Sequence, residues 1–472
     1  MSAGLARVTI SAPQRRVDVA LPEHVPLVEL LPEVLKHAGE GLADDGEKHG
    51  GWLLRRVDGA VLAIAQGLFP QGVRDGEVLH LVPARQAWPE LEYDDVVEAI
   101  ADGARRRGAA WTAASTRAAT LTAGGVLLGV GALVILLGGP RDGAAWVALG
   151  VALLLTVAGV GASRAYGDGL AGAALAGFGL PYAFLGGAAL VATGDRTGPL
   201  PLAGWIAEPE LLAGSVFTLV LALLGAVGVA ASVRVFAAGG FAGLLGALTA
   251  LAAYLPGVSA PGAAAILVAV LVCGIGALPL LAIRFGKVPM PPVALPTGED
   301  ATRGFTAAGS GALDAARERP DRTRVFAAVA RTEELLTGML IGHAVLASCA
   351  FLVLAGDGWG QILTAVAAAA LLLRSRLFVT VRQRVPMITA GLLGLGALAL
   401  AVAGGGTVLL WTGVVLVLAV LTVVGGATYS QRPPSPYLGR AADLLDTLIV
   451  ISVVPVACAV LDLYDKVSGL AG

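Results

Sequence analysis

The segment from Ala118 to Leu461 is a long succession of apolar blocks rich in Ala, Leu, Val and Gly. A helix needs roughly 20 such residues to cross the hydrocarbon core of a bilayer. Only 14% of the 472 residues are charged, whereas soluble domains carry about 25%. The sequence therefore predicts an all-α polytopic membrane bundle and excludes a wholly soluble protein.

Eleven blocks are predicted to be transmembrane helices. They cover residues 118–138, 143–163, 169–193, 211–233, 235–255, 261–283, 335–355, 358–373, 385–403, 407–428 and 444–461. The eighth block is short, and the last has Asp446 in its first turn. Helices 1–6 form residues 118–283, and helices 7–11 with a short tail form residues 335–472.

The basic residues between the blocks are distributed unevenly. If the N-terminus is cytosolic, only Arg141, Arg196 and Lys466 fall on the outside, and all the other loop arginines and Lys287 fall on the inside. Cytosolic loops carry such an excess of Lys and Arg. The pattern predicts eleven spans in the plasma (inner) membrane, a cytosolic N-terminus and a C-terminus on the outer side.

Residues 1–83 are predicted to form a small α+β cytosolic domain. Alternating runs at 7–12 and 16–21 indicate a β-hairpin, residues 26–39 a helix, and residues 52–57, 61–64 and 77–82 strands. This order is that of a β-grasp domain and resembles ubiquitin, as does the turn from Val73 to Leu79. A generic α+β adaptor would give the same pattern. The start of the chain lacks the apolar segment of a signal peptide.

Residues 84–117 are predicted to connect this domain to the bundle. Residues 93–107 have the pattern of an amphipathic helix that ends in Arg105, Arg106 and Arg107. These arginines precede the first span, where they would anchor the chain at the cytosolic leaflet or contact lipids or a partner.

Residues 284–334 form a predicted cytosolic loop, longer than a connection requires. It begins with Pro289, Met290, Pro291 and Pro292, which favour an extended backbone, and continues into two helical segments at 312–319 and 322–334. Its arginines include Arg317, Arg319, Arg322 and Arg324. The loop is either a solvated linker or a docking surface for partners, and these eight residues are the candidate partner-binding set.

The predicted spans contain almost no ionisable side chains. His343 is the one that lies clearly inside a block, and packing is a sufficient role for it. The sequence has none of the common nucleotide-binding, zinc-protease or serine-hydrolase motifs. We therefore expect no catalytic, metal or cofactor site and no enzyme activity. Four-residue spacings in Gly125 with Gly129 and in Gly239 with Gly243 are typical of closely packed helices.

A ubiquitin-like domain, an amphipathic connector and eleven spans with a long loop after the sixth resemble the EccD family of type VII (ESX) secretion systems. The resemblance implies a non-enzymatic membrane scaffold that assembles with EccB-, EccC- and EccE-like proteins, EccC being the FtsK-like ATPase. It also implies two copies in a protomer, which enclose lipid, and no nucleic acid. The alternative from the residues alone is a secondary transporter or facilitator for a small solute.

Overall fold

The fold is described from a computed structural model of the chain. The structure describes residues 4–13, 15–39, 41–48, 50–84, 111–141, 143–194, 197–200, 203–229, 231–287, 322–356, 358–403, 408–431 and 436–466. The chain divides into two compact units, residues 1–111 and 112–472. The predicted connector helix at 93–107 and most of the predicted loop after 287 lie outside the described residues.

The first unit contains a four-stranded mixed sheet and two helices, of which the longer has three turns. Its elements are β1 (Leu5–Ser11), β2 (Arg16–Pro22), α1 (Leu27–Ala38), α2 (Leu42–Lys48), β3 (Trp52–Arg56) and β4 (Val78–Pro83). The strand order is β2-β1-β4-β3, with β1 and β4 parallel and the other two pairs antiparallel. The predicted β-grasp, ubiquitin-like topology is confirmed.

The core of this unit is built from alternate residues of the strands. Val8 and Ile10 of β1 and Leu79 of β4 are almost fully buried, and Leu27 and Ala38 of α1 pack onto them. Because side chains alternate between the two faces of a strand, one face supplies this core.

Two local predictions for this unit were wrong. Residues 61–64 form no strand, since Val61 makes only an isolated bridge to Arg55. Residues 42–48, assigned to a loop because of their Gly and charge, form α2. Trp52 contacts this helix: its indole Nε1 donates to the carbonyl of Leu42, the first residue of α2, at 2.7 Å. A tertiary contact of this kind overrides the low helix propensity of Gly and Asp.

The second unit is a bundle of long helices. They are α3 (Ala113–Gly138), α4 (Ala144–Arg164), α5 (Gly169–Val191), α6 (Glu208–Gly228), α7 (Val233–Ala253), α8 (Ala260–Gly274), α9 (Ala277–Gly286), α10 (Arg322–Leu354), α11 (Gly358–Arg374), α12 (Val381–Ala403), α13 (Val408–Gln431) and α14 (Pro436–Val460). Among the described residues, ten of these are long and apolar enough to cross a membrane, and α8 with α9 meets the same test as a bent pair.

The predicted sixth span is thus two helices, α8 and α9, bent by 72°. The break falls between Gly274 and Ala277, two to five residues before Pro279. Proline removes a backbone donor, and its ring clashes with the carbonyl four residues earlier, here that of Ile275. The helix is therefore fully interrupted before Pro279.

The contacts at its two ends indicate that the bent pair crosses the bundle. α8 begins seven residues after Ala253, the end of α7, whereas Gly286 at the end of α9 lies against Thr332 of α10. Two residues on, Glu334 contacts Arg234 in the first turn of α7. The pair therefore runs from the end of α7 to its beginning, so that the described helices would suffice for eleven crossings if this pair counts as one span.

Buried side chains concentrate in the second half of the bundle. One cluster joins α8, α9, α10, α11, α12 and α14, and its largest fully buried members include Phe351, Leu371 and Met387. Smaller clusters join α4 to α7. No side chain of α3 is buried, and the same holds for the described side chains of α13. These two helices lie at the periphery, where lipid or another protein would cover them.

Candidate functional site: the charged end of the helix bundle

Basic side chains gather at one end of the bundle, where α3, α5, α7, α10, α12 and α14 begin. We call it the charged end; it contains Arg117, Arg234, Glu334 and Arg374. Its basic residues in the described part of the chain are Arg117, Arg164, Arg234, Arg284, Lys287, Arg322, Arg324, Arg331, Arg374, Arg376, Arg382, Arg384 and Arg440. At the opposite end the described basic residues are Arg141 and Lys466.

Arginines at the charged end tie the termini of the first helices together. Arg117 at the start of α3 forms an ion pair with Asp168, the N-cap of α5, whose carboxylate also accepts from the Ala171 N–H at 3.0 Å. Arg164 at the end of α4 donates to the carbonyl of Gly228 at 2.9 Å. Terminal carbonyls and N–H groups of helices have no hydrogen-bond partners within the helix, and these contacts provide such partners.

Arg374, the last residue of α11, joins three helices at the break in the sixth span. Its Nε lies 3.2 Å from Oδ1 of Asp446 on α14, and its Nη1 donates to the Val272 carbonyl on α8 at 2.5 Å. In an unbroken helix that carbonyl would accept from Gly276, but the break removes this partner. The guanidinium therefore satisfies the group that the broken span leaves unpaired.

Helix α10 extends beyond the predicted span at the charged end. Residues 322–334, which the sequence assigned to the loop and predicted to be helical, are continuous with the span in one helix of 33 residues. Glu334 holds this extension against α7: its Oε2 accepts from the Arg234 N–H at 3.2 Å and its Oε1 lies 3.7 Å from the guanidinium. A carboxylate at a helix N-terminus is favoured by the helix dipole.

Most of the predicted partner-binding and anchor residues belong to segments beyond the described part of the chain. Pro289, Met290, Pro291, Pro292, Arg317 and Arg319 lie outside the described residues, as do Arg105, Arg106 and Arg107. Arg322 is the first residue of α10, and Arg324 is exposed in its first turn. These two therefore begin the extension of α10 at the charged end.

The four candidate packing glycines differ in their surroundings. A Cβ on Gly243 would lie 2.8 Å from the Leu219 nitrogen of α6, and one on Gly239 would lie 2.8 Å from Leu180 Cδ1 of α5. A Cβ on Gly125 would meet the Phe178 ring at 2.7 Å, whereas one on Gly129 has no described neighbour within 4 Å. Gly125, Gly239 and Gly243 therefore lie at close helix contacts, and Gly129 faces open space.

His343 is almost fully buried on α10, as expected from its place in the block. Its Nε2 has no hydrogen-bond partner among the described residues. The described residues also contain no group of three or more His, Cys, Asp or Glu that could hold a metal ion.

The sequence missed two features of the charged end. One is the ion pair of Arg374 and Asp446: the sequence puts Arg374 in a predicted loop and Asp446 in the first turn of the last predicted span, with no sign that they meet. A polar cavity of about 510 Å³ lies between α7, α10 and α12, and its lining includes Arg234, Glu334 and Gln383. Its residues come from three distant segments, so spacing along the chain gives no signal of it.

Two family profiles match the chain. Residues 116–470 match the EccD-like transmembrane domain, and residues 5–81 match the WXG100 protein secretion system (Wss) protein YukD. Together these matches cover both structural units.

Individual relatives agree with the profiles. The chain is 32% identical over 179 residues to the ESX-4 secretion system protein eccD4 of two Mycobacterium tuberculosis strains, CDC 1551 / Oshkosh and ATCC 25618 / H37Rv. That match covers 36% of this chain and 38% of each relative, so the chain spans less than two fifths of the curated relatives it matches. A solved structure, protomer 1 of the ESX-3 core complex, superposes with a TM-score of 0.55 at 20% identity, covering 98% of this chain and 100% of that one. At this identity the likeness concerns the fold.

Proposed function

The chain belongs to the family of EccD-like transmembrane domain proteins, and from this membership we propose that it is a non-enzymatic structural component of a type VII (ESX) secretion complex in the inner membrane. In this role it scaffolds the membrane assembly and docks the FtsK-like ATPase and other core components on its charged end. The observation that carries the proposal is the joining of a YukD-like domain to an EccD-like membrane domain in one chain.

The arrangement of charge in the bundle supports a scaffold rather than a solute carrier. Carriers place polar or ionisable groups at the binding site near the bilayer midplane. In the described part of this bundle, the ion pairs lie at the charged end, and several of them join helix termini. Such pairs stabilise the positions of the helices and leave the surrounding surface of this end for docking.

We place the N-terminus and the charged end in the cytosol and the C-terminus outside. The excess of arginine at the charged end supports this orientation. Lys466, near the C-terminus, donates to the Gly257 carbonyl after α7, at the opposite end. With eleven crossings, the two termini of the bundle lie on opposite sides of the membrane.

The docking surface in this proposal comprises the YukD-like domain, the loop after Lys287 and the extension of α10. Its candidate contact residues are Pro289, Met290, Pro291, Pro292, Arg317, Arg319, Arg322 and Arg324. The partners are EccB-, EccC- and EccE-like proteins, and a second copy of the chain within the complex. Arg105, Arg106 and Arg107 contact the cytosolic leaflet, and membrane lipids cover α3 or α13 where protein does not.

Extraction in mild detergent followed by native mass measurement tests the scaffold role. We expect a chain tagged at its C-terminus to be recovered in a large complex that includes an FtsK-like ATPase. Recovery only as a monomer or a homodimer would contradict the scaffold and favour the carrier.

A second experiment tests the docking surface. Deletion of residues 1–83, or replacement of Arg317, Arg319, Arg322 and Arg324 by Gln, should lower the amount of ATPase recovered while the bundle still inserts. Replacement of Arg284 and Arg440, two exposed arginines at the same end, is the matched control and should leave recovery unchanged. Equal recovery from all variants would rule out these residues as the docking surface.

A further inference from the structure

The cavity at the charged end has the properties of a ligand site. It has a volume of about 510 Å³. It lies between the start of α7, the start of α12 and residues 330–337 of α10, where the extension of this helix meets its predicted span. Ligand pockets are typically about 300–1,000 Å³ with a few convergent polar groups. The convergent groups here are Arg234, Glu333, Thr337, Arg382 and Gln383.

Two of the lining side chains are buried polar groups without partners. Thr337 and Gln383 are each only 7% exposed, and both border the cavity. Neither side chain makes a hydrogen bond to any other residue that the structure describes. Neither belongs to the fully enclosed side-chain atoms that lack a partner, so the Thr337 hydroxyl and the Gln383 amide remain accessible from the cavity and free to bond a polar ligand there.

The charged groups of the cavity are of both signs. Arg234 is held by Glu334 through its N–H and its guanidinium. Arg382 and Glu333 are exposed and form no ion pair with the described residues. Arg382 also lies in the first turn of α12, where backbone N–H groups lack intrahelical acceptors and favour an anion. The cavity therefore offers one free cationic position at a helix N-terminus and one free carboxylate.

We propose that this cavity binds the headgroup of a zwitterionic phospholipid that carries a phosphate and a primary ammonium. The phosphate accepts hydrogen bonds from the Arg382 guanidinium, from the backbone N–H groups of Val381 and Arg382 and from the Gln383 side-chain amide. The ammonium donates to Glu333, and Thr337 Oγ1 bonds to the glycerol or ester oxygens.

The surroundings of the cavity favour a lipid over free phosphate. Val381 lines the cavity and is 75% exposed, and Val379 and Val385 beside it are also exposed. Apolar side chains at the bilayer boundary contact acyl chains. The lining contains two arginines and two glutamates, and this balance fits a zwitterion better than an anionic headgroup.

Binding is tested with full-length protein that has been purified in detergent and delipidated. Phosphatidylethanolamine, phosphatidylglycerol and inorganic phosphate are added separately, and bound ligand is counted by native mass spectrometry. We expect phosphatidylethanolamine to bind in preference to the other two. Arg382→Gln should weaken its binding about tenfold, the effect of removing one charge-assisted contact. Glu333→Gln, at an exposed position, should abolish the preference over phosphatidylglycerol without loss of folding.

Arg284→Gln, an exposed arginine at the same end but outside the cavity, is the matched control and should bind as the unmodified protein does. Equal binding of phosphatidylethanolamine by the unmodified chain and Arg382→Gln would overturn the site. Equal affinity for phosphatidylglycerol in the unmodified chain would overturn the zwitterion assignment. Full displacement of the lipid by millimolar inorganic phosphate would identify a simple anion site instead.

Discussion

Arg374 and Asp446 form an ion pair between α11 and α14, with 3.2 Å between Nε and Oδ1. Their side chains are only 15% and 21% exposed. The same guanidinium donates to the Val272 carbonyl at the break between α8 and α9. One side chain therefore stabilises both a helix contact and the interrupted sixth span.

Replacement of Arg374 by Gln should lower the free energy of unfolding by about 2–4 kcal/mol, because Asp446 and the Val272 carbonyl both lose their partner in a largely buried place. Thermal or denaturant unfolding in detergent measures the loss. Arg374→Gln combined with Asp446→Asn should cost less than the sum of the two single variants, since the pair acts as a unit.

Arg376→Gln is the matched control for this pair. Arg376 pairs with Asp443 only three residues from Asp446, but Asp443 is 74% exposed. Exposed ion pairs contribute about 1 kcal/mol or less. An equal loss of stability in the Arg376 and Arg374 variants would contradict the role assigned to the break.

Replacing Gly243 and Gly129 by alanine should have different effects on stability. Both glycines lie in a four-residue glycine spacing, but only Gly243 is packed against another helix. Gly243→Ala should destabilise the bundle by about 1–3 kcal/mol, since the added Cβ meets the Leu219 nitrogen and the Ser215 carbonyl at 2.8 Å. Gly129→Ala should be neutral or stabilise by up to about 1 kcal/mol through its better helix propensity. Melting temperatures in detergent distinguish the two, and a larger loss at Gly129 would contradict the described packing.

The N-terminal unit should lose stability when its core is opened. Leu79 is fully buried in β4, and Leu79→Ala should lower the free energy of unfolding of this unit by about 3 kcal/mol. Val57, which is largely exposed, is the control, and Val57→Ala should change it by no more than about 0.5 kcal/mol. Urea unfolding followed by the fluorescence of Trp52 reports on this unit when the other six tryptophans are replaced by Phe. Equal midpoints for the two variants would contradict the assigned core.

The sequence predicted the spans and the β-grasp order because both depend on local periodicity. Apolar runs of about 20 residues and alternating strands are properties of neighbouring residues. The predictions for α4, α5 and β1 therefore agree with the structure. The spacing of Gly125 and Gly129 could not distinguish a packed glycine from an open one, because the difference depends on the Phe178 ring of another helix. Likewise, nothing near Arg374 in the sequence indicates Asp446, 72 residues away.

The lining of the polar cavity could not be predicted for the same reason. Thr337 lies in a span, and Gln383 lies among arginines that the sequence assigned to a loop. Only the approach of α10 to the start of α12 buries both and leaves their polar groups facing one space. Binding sites formed by tertiary contact between distant segments leave no spacing signature.

The proposed orientation predicts which positions, when replaced by cysteine, can be labelled from outside the cell. In a variant with Cys273, Cys349 and Cys458 replaced by Ala, Tyr254→Cys should react with a membrane-impermeant maleimide in intact cells, because Tyr254 is exposed at the opposite end of the bundle. Arg331→Cys, exposed on the α10 extension at the charged end, should react only after permeabilisation. The two positions flank the bent pair, so their opposite labelling also requires α8 and α9 to cross the membrane together. Labelling of both from the same side would make that pair a re-entrant loop, and labelling in the reverse sense would invert the orientation that the arginines indicate.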